Sequence, residues 1–119
     1  MANTCEVKFR QYLKKQYPNA FIKKLPDFKQ TGMTGGAGLP DYLVIDNGIT
    51  DWYEVKKVNS ATKFPFSALA DVQWVVCRQL VNAGASVWIV AYMRNERVIF
   101  SFKRLLEARA FFSTATSVD

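Results

Sequence analysis

Two strand-like runs flank Asn47-Gly48: Tyr42-Leu43-Val44-Ile45-Asp46 on one side and Ile49-Thr50-Asp51-Trp52-Tyr53-Glu54-Val55-Lys56 on the other. Asn-Gly between such runs predicts a β-hairpin, because a type I′ turn needs positive φ at both central residues. Upstream, residues 3 to 17 read as a helix. Asn3 is placed as N-cap, Glu6 at the capping-box position, and Phe9, Leu13 and Tyr17 at helical spacing before Pro18. Residues 20 to 28 read as a strand, with Pro26 marking an edge or a break. A glycine-dense loop, residues 32 to 38, leads into the hairpin. It is either a plain linker or a loop whose backbone approaches a ligand closely, as glycine permits.

Downstream, residues 59 to 65 are polar and irregular. A second helix is predicted with Ser67 as N-cap and Phe66 as hydrophobic staple; it runs through Leu69, Val72, Val76 and Leu80 to Gly84. The apolar run from Ala85 to Tyr92 has the character of a central strand covered on both faces. A turn at residues 94 to 96, a short strand over 98 to 102, a helix over 103 to 112 and a frayed tail from Ser113 complete the chain. The order (helix, three strands, helix, strand, strand, helix) predicts an α/β fold with a mixed sheet between helices. At 119 residues it is expected to be one domain.

The hairpin register carries the chemistry. With Asn47-Gly48 as the turn, Asp46 pairs with Ile49, and counting outward opposes Asp41 to Glu54. Opposed Cβ atoms lie roughly 4.5–5.5 Å apart, where like charges repel. Lys56 projects from the same strand face as Glu54. Two carboxylates forced together beside an ammonium suggest a bound cation and an anionic substrate. A four-residue loop would instead oppose Asp41 to Lys56, with the same facing.

Composition narrows the chemistry. The formal net charge is +6, spread from Lys14-Lys15 to Lys103-Arg104, which fits a polyanionic partner and also simple solubility. The chain has no histidine, which excludes imidazole bases, His-ligated zinc and Ser-His or Cys-His nucleophiles. Hydrolysis here must use carboxylates, a metal and lysine. Cys5 and Cys77 lie far apart, so a reducing, intracellular setting is expected. No apolar run is long enough for a membrane span, and the start shows no signal pattern. The glycine loop lacks the Lys-Ser/Thr ending of a Walker-type phosphate loop.

Pro40-Asp41 followed by Glu54-Val55-Lys56 resembles the PD-(D/E)xK nuclease signature, and the element order resembles that superfamily's restriction-endonuclease-like αβββαβ core. Gly38-Leu39-Pro40-Asp41 is similar to the stretch in VRR-NUC and archaeal-type Holliday-junction resolvases. Lys63-Phe64-Pro65-Phe66-Ser67, then Gln73, then Ala83-Gly84-Ala85, resembles the RecU-like branch. Each motif is short; their order on these elements is the specific part.

The resemblance implies a Mg²⁺ site, with Mn²⁺ able to substitute, held by Asp41 and Glu54 through oxygens at about 2.0–2.1 Å and joined by the Val55 carbonyl. Lys56 would orient the attacking water or stabilise transition-state charge. Glu6 is a helix-capping residue, a metal or outer-sphere ligand, or both. Gln73 contacts the site or lies on a polar helix face. Thr31 and Thr34 make phosphate contacts or local turns. Trp52 shares the active face or packs beneath a helix. Trp74, Val76 and Trp88 belong to the core or a subunit interface, and Lys57 is solvated. The leading expectation is a dimeric, Mg²⁺-dependent endodeoxyribonuclease resolving Holliday junctions or other branched DNA; the compact size is compatible with a virus or mobile element as its source. Alternatives are a homing or restriction-like endonuclease, a non-catalytic DNA-binding module on a nuclease fold, and a basic protein-interaction domain.

Overall fold

Asn47 and Gly48 both take positive φ, 50° and 76°, so the hairpin closes through the two-residue turn that their side chains favour. The computed structural model describes residues 4–26, 37–111 and 117–118. The hairpin strands are β2 (Tyr42–Asp46) and β3 (Ile49–Val58), after helix α1 (Thr4–Gln16) and strand β1 (Phe21–Lys24). Next come a short strand β4 (Phe64–Pro65), a 3₁₀ turn (Phe66–Ala68) and helix α2 (Asp71–Asn82). Strand β5 (Ser86–Met93), strand β6 (Glu96–Ser101), helix α3 (Phe102–Phe111) and a two-residue strand β7 (Ser117–Val118) follow.

Among the described residues, five strands form one sheet in the order β1-β2-β3-β5-β6. The β3–β5 pair is parallel and the others are antiparallel. A parallel pair needs a crossover, and α2 supplies it. A second tight turn, with Arg94 at φ 49° and Asn95 at φ 72°, joins β5 to β6.

Strand alternation divides the core into two layers. On one face, Phe9 and Leu13 of α1 pack on Tyr42, Val44, Tyr53, Val55, Val90 and Tyr92. On the other, Trp74 and Cys77 of α2 and Phe102 and Leu105 of α3 cover Val58, Val87, Ile89, Ala91 and Met93. Both faces of β5 are therefore covered, which is why that segment is apolar throughout. The mixed sheet between helices agrees with the fold class read from the sequence. Among the described residues, the Tyr92 hydroxyl is the one buried side-chain polar atom with no hydrogen-bond partner, a cost of about 1–3 kcal/mol. Both cysteines are free, and no helix of the described residues is long and apolar enough to cross a membrane.

Several boundaries differ from the sequence reading. The first strand ends at Lys24 rather than reaching residue 28, and it lies at the sheet edge, as Pro26 implied. Ser67 does not cap the second helix. Phe66 and Leu69 are both buried, so the chain makes a single tight turn to bury them, becomes extended at Leu69 and Ala70, and enters α2 at Asp71. Ala70 is the N-cap, and its N–H donates to the Gln73 Oε1 at 2.9 Å. This is the return half of a capping box, from the N3 position. Ser117–Val118, expected to fray, pairs with Phe64–Pro65. Asn3, Thr31, Thr34 and most of the glycine loop lie outside the described residues.

Gly38, at the end of that loop, has φ +87°, and a Cβ there would meet the Val72 carbonyl oxygen at 2.6 Å and Val76 Cγ2 at 2.9 Å. The backbone that leads to Asp41 thus abuts the α2 backbone, with no room for a side chain. Gly48, at φ +76°, has open space instead. Gly48→Ala should cost about 1–2 kcal/mol for its left-handed backbone alone. Gly38→Ala should cost clearly more, because a backbone clash adds to the same strain. Urea midpoints of the two variants check this order, and equal midpoints would contradict it.

Candidate active site

The hairpin places Asp41 and Glu54 together through its hydrogen-bond phase. The pair flanking a two-residue turn, here Asp46 and Ile49, exchanges backbone hydrogen bonds, and such pairs alternate outward with closer, non-hydrogen-bonded ones. The ladder runs to Tyr42–Tyr53, so the next pair outward, Asp41–Glu54, is of the closer kind. The sheet register matches the one counted from Asn47-Gly48, and Glu54 faces α2. Their carboxyl groups are near enough that each shifts the other's pKa.

One step further out, Val55 comes opposite Pro40. Proline has no N–H, so it cannot donate to the Val55 carbonyl. The Val55 N–H in turn donates to Asp41 Oδ2 at 2.8 Å. Pro40 is itself buried, and Asp41 is fixed by the strand that carries its partner acid. Two carboxylates and a peptide carbonyl with no donor from Pro40 form an all-oxygen set, the chemistry that a hard divalent cation takes. The residues present fit such an ion.

Glu54 is 2% exposed and, among the described residues, is the one charged side chain in the core. Burial pushes its pKa well up, and the Asp41 charge adds to the effect; Lys56 opposes it. Burial also raises Asp41, opposed chiefly by the Val55 N–H. Without a cation the pair favours holding a proton. Cys77 lies in the same environment, and burial pushes its thiol up to about 12. It is an inert packing residue there.

Gln73 connects the parts. Its Oε1 accepts from Lys56 Nζ at 2.9 Å and from the Ala70 N–H at 2.9 Å. Those two donors fix the amide orientation, which turns Nε2 toward both Glu54 oxygens at 3.4 and 3.5 Å. Lys56 Nζ lies 4.0 Å from Glu54 Oε2. Gln73 is therefore not a polar-face residue; it ties the α2 N-terminus to the lysine and the acid. Its reach depends on the helix starting at Asp71, a start that the Ser67 cap obscured.

Glu6 enters through a residue that the sequence reading missed. Lys24 Nζ lies 3.2 Å from Glu6 Oε1 and 3.8 Å from Asp41 Oδ1, and it donates to the Leu25 carbonyl at 2.9 Å. It also lies 5.7 Å from the centre of the Tyr42 ring. Lys24 thus bridges α1 and the hairpin at the sheet edge. Its signal in the sequence was only a Lys23-Lys24 doublet, and the Lys24–Tyr42 register emerges only from the sheet. Among the described residues, no three His, Cys, Asp or Glu side chains form a ready-made metal cluster. Trp52 packs against the α2–α3 layer, and Trp74 is buried there, donating from Nε1 to the Phe66 carbonyl. Val76 meets Gly38. Trp88 is half-buried and donates to Asp51 Oδ1 at 2.9 Å, and Lys57 is exposed.

No family model matches the chain, and no curated protein matches it by sequence. Among solved structures it is similar to Hjc of Archaeoglobus fulgidus, a Holliday junction resolvase from an archaeal hyperthermophile. The TM-score is 0.61 at 12% identity, over 83% of this chain and 75% of that one. At that identity the likeness is one of fold: the chain has the fold of this nuclease.

A carboxyl whose folded pKa is raised binds more protons in the folded than in the unfolded state. Its contribution to stability is therefore lost as pH rises through the carboxylate range. In EDTA, Glu54→Gln should melt at a higher temperature than wild type at neutral pH, and the gap should close toward acid. Melts from about pH 4 to about pH 8 check this; a variant less stable at neutral pH would contradict it.

Proposed function

We propose that this chain is a metal-dependent endodeoxyribonuclease of PD-(D/E)xK type that hydrolyses phosphodiester bonds in branched DNA. The carrying observation is the Asp41–Glu54 pair, two acids opposed on neighbouring strands beside Lys56 with Glu54 buried. Like charges so placed destabilise a protein, which a ligand of opposite charge would relieve. The fold shared with an archaeal Holliday junction resolvase supports DNA as substrate, and a four-way junction as its form. Symmetric cutting of two strands calls for a homodimer.

Asp41, Glu54 and the Val55 carbonyl would hold Mg²⁺ or Mn²⁺. When bound, that ion lowers the pKa of a coordinated water and offsets charge on the phosphate. The side chains do the rest. The Val55 N–H holds Asp41 in the orientation that faces Glu54. Gln73 holds the Lys56 ammonium beside the acids, where it donates to the attacking water or to the phosphate oxygens as their charge grows. Lys24 places a second positive charge on the outer side of Asp41, favouring an anionic strand there. With no histidine in the chain, the leaving oxygen takes its proton from water or from lysine.

The test is incubation of the protein and Mg²⁺ with labelled four-way junction, nicked and linear DNA. Paired cuts in the junction are expected. Asp41→Asn, Glu54→Gln and Lys56→Met should each slow cutting by about 10²-fold or more. No cleavage of any substrate with Mg²⁺ or Mn²⁺ would overturn the proposal. Cuts at one sequence in linear DNA would instead assign a restriction-like activity.

A binding reading of the same acid pair is separable. At a concentration of 100 times its dissociation constant, Mg²⁺ should stabilise wild type by about 2.7 kcal/mol. Asp41→Asn should lose most of that gain in parallel thermal melts.

A further inference from the structure

A groove of about 760 Å³ lies between α1 and the β5–β6 turn, on the sheet face opposite Lys56. Lys8, Tyr12 and Lys15 line it from one stripe of α1, at the spacing that aligns helical side chains. Arg97 and Glu96 line it from β6, and Tyr92 from β5. The three cations outnumber the single carboxylate. The Arg97 guanidinium sits 3.7 Å from the Tyr12 ring centre, so its planar fork is held in place at the wall.

The Tyr92 side chain is 4% exposed and its hydroxyl has no hydrogen-bond partner. Burial raises its pKa against the opposing pull of Arg97, its cross-strand neighbour, so the phenol is neutral at neutral pH and adds no negative charge to the wall. A groove with that excess of positive charge suits an acceptor-rich anion. Lys8 and Lys15 are seven residues apart, about 10 Å along the helix. That is the axial rise of about three nucleotides of a duplex strand, and more than one phosphate group spans.

We propose that this groove binds the phosphodiester backbone of DNA, as a second contact for the substrate of the acid-pair site. Lys8, Lys15 and Arg97 neutralise phosphates. The proposal rests on the nuclease reading for the identity of the polymer. It adds that the substrate reaches around α1 to the opposite sheet face, which a branched molecule with divergent arms can do.

The test is fluorescence anisotropy of labelled four-way junction in EDTA, so that binding is read without cleavage, across a salt series. The double variant Lys8→Ala/Lys15→Ala should bind about 10-fold more weakly and lower the log–log salt slope by about 2. Arg97→Gln removes one cation from the wall and should bind more weakly, with the slope lowered by about 1. Lys103→Ala/Arg104→Ala, the same charge change on exposed residues of α3, should match wild type. An unlabelled 5′-mononucleotide at equal phosphate concentration should not compete.

Equal losses in the two double variants, wild-type binding by Arg97→Gln, or competition by the mononucleotide would each overturn the groove. Junction cleavage separates the two readings. Groove variants that bind and cut like wild type leave the nuclease standing and remove the groove. A Glu54→Gln variant that cuts like wild type, beside a weakened Lys8→Ala/Lys15→Ala, does the reverse.

Discussion

The closeness of Asp41 and Glu54 is the constraint on which the candidate site depends, and the hairpin imposes it. A two-residue turn fixes the ladder phase, and the phase fixes which opposed side chains come closest. Six steps out from Asn47-Gly48, a close-approach position holds two acids. Pro40 withholds the backbone donor that would have met the Val55 carbonyl, and the Val55 N–H, bonded to a side chain instead of the ladder, orients Asp41. The strand pairing therefore ends in a site. Burying Glu54 under α2 raises the cost of its charge, and Lys56, Gln73 and Lys24 only partly offset it.

That architecture explains which parts were legible from residues alone. The hairpin was, because a local turn signal sets φ, phase and facing together, with no need of long-range contacts. The α/β class and the central strand were legible for a similar reason: the Ala85–Tyr92 run states in its composition that both faces are covered. The acid pair and Lys56 followed by counting. What failed was whatever depends on contacts between elements. Ser67 had good capping chemistry, yet the burial of Phe66 and Leu69 delayed the helix to Asp71, since tertiary packing overrides local preference. Gln73 could be flagged but not assigned, because its role arises from that later start. Lys24 carried no signal until the sheet order set β1 beside β2.

The two faces of the sheet also differ in kind. On the α2 face, polar groups are matched: Gln73 engages donors and an acid, and the Trp74 indole reaches the Phe66 carbonyl. On the α1 face, Tyr92 keeps an unmatched hydroxyl beneath a wall of cations. The Lys24 bridge joins the faces at the sheet edge, with Glu6 of α1 on one side and Asp41 on the other. Charge is thus continuous from α1 to the hairpin acids, although the apolar layers are separate.

The contact between Gly38 and the Val72 carbonyl acts as a mechanical stop. Side chains can repack when a core residue changes volume, but two main chains already touching cannot come closer. The span from Asp41 to the first turn of α2, and so to Gln73, is thereby gauged by main-chain atoms rather than by the softer apolar filling around them. Drift in the composition of that filling can accumulate while the spacing of the polar groups above it stays calibrated.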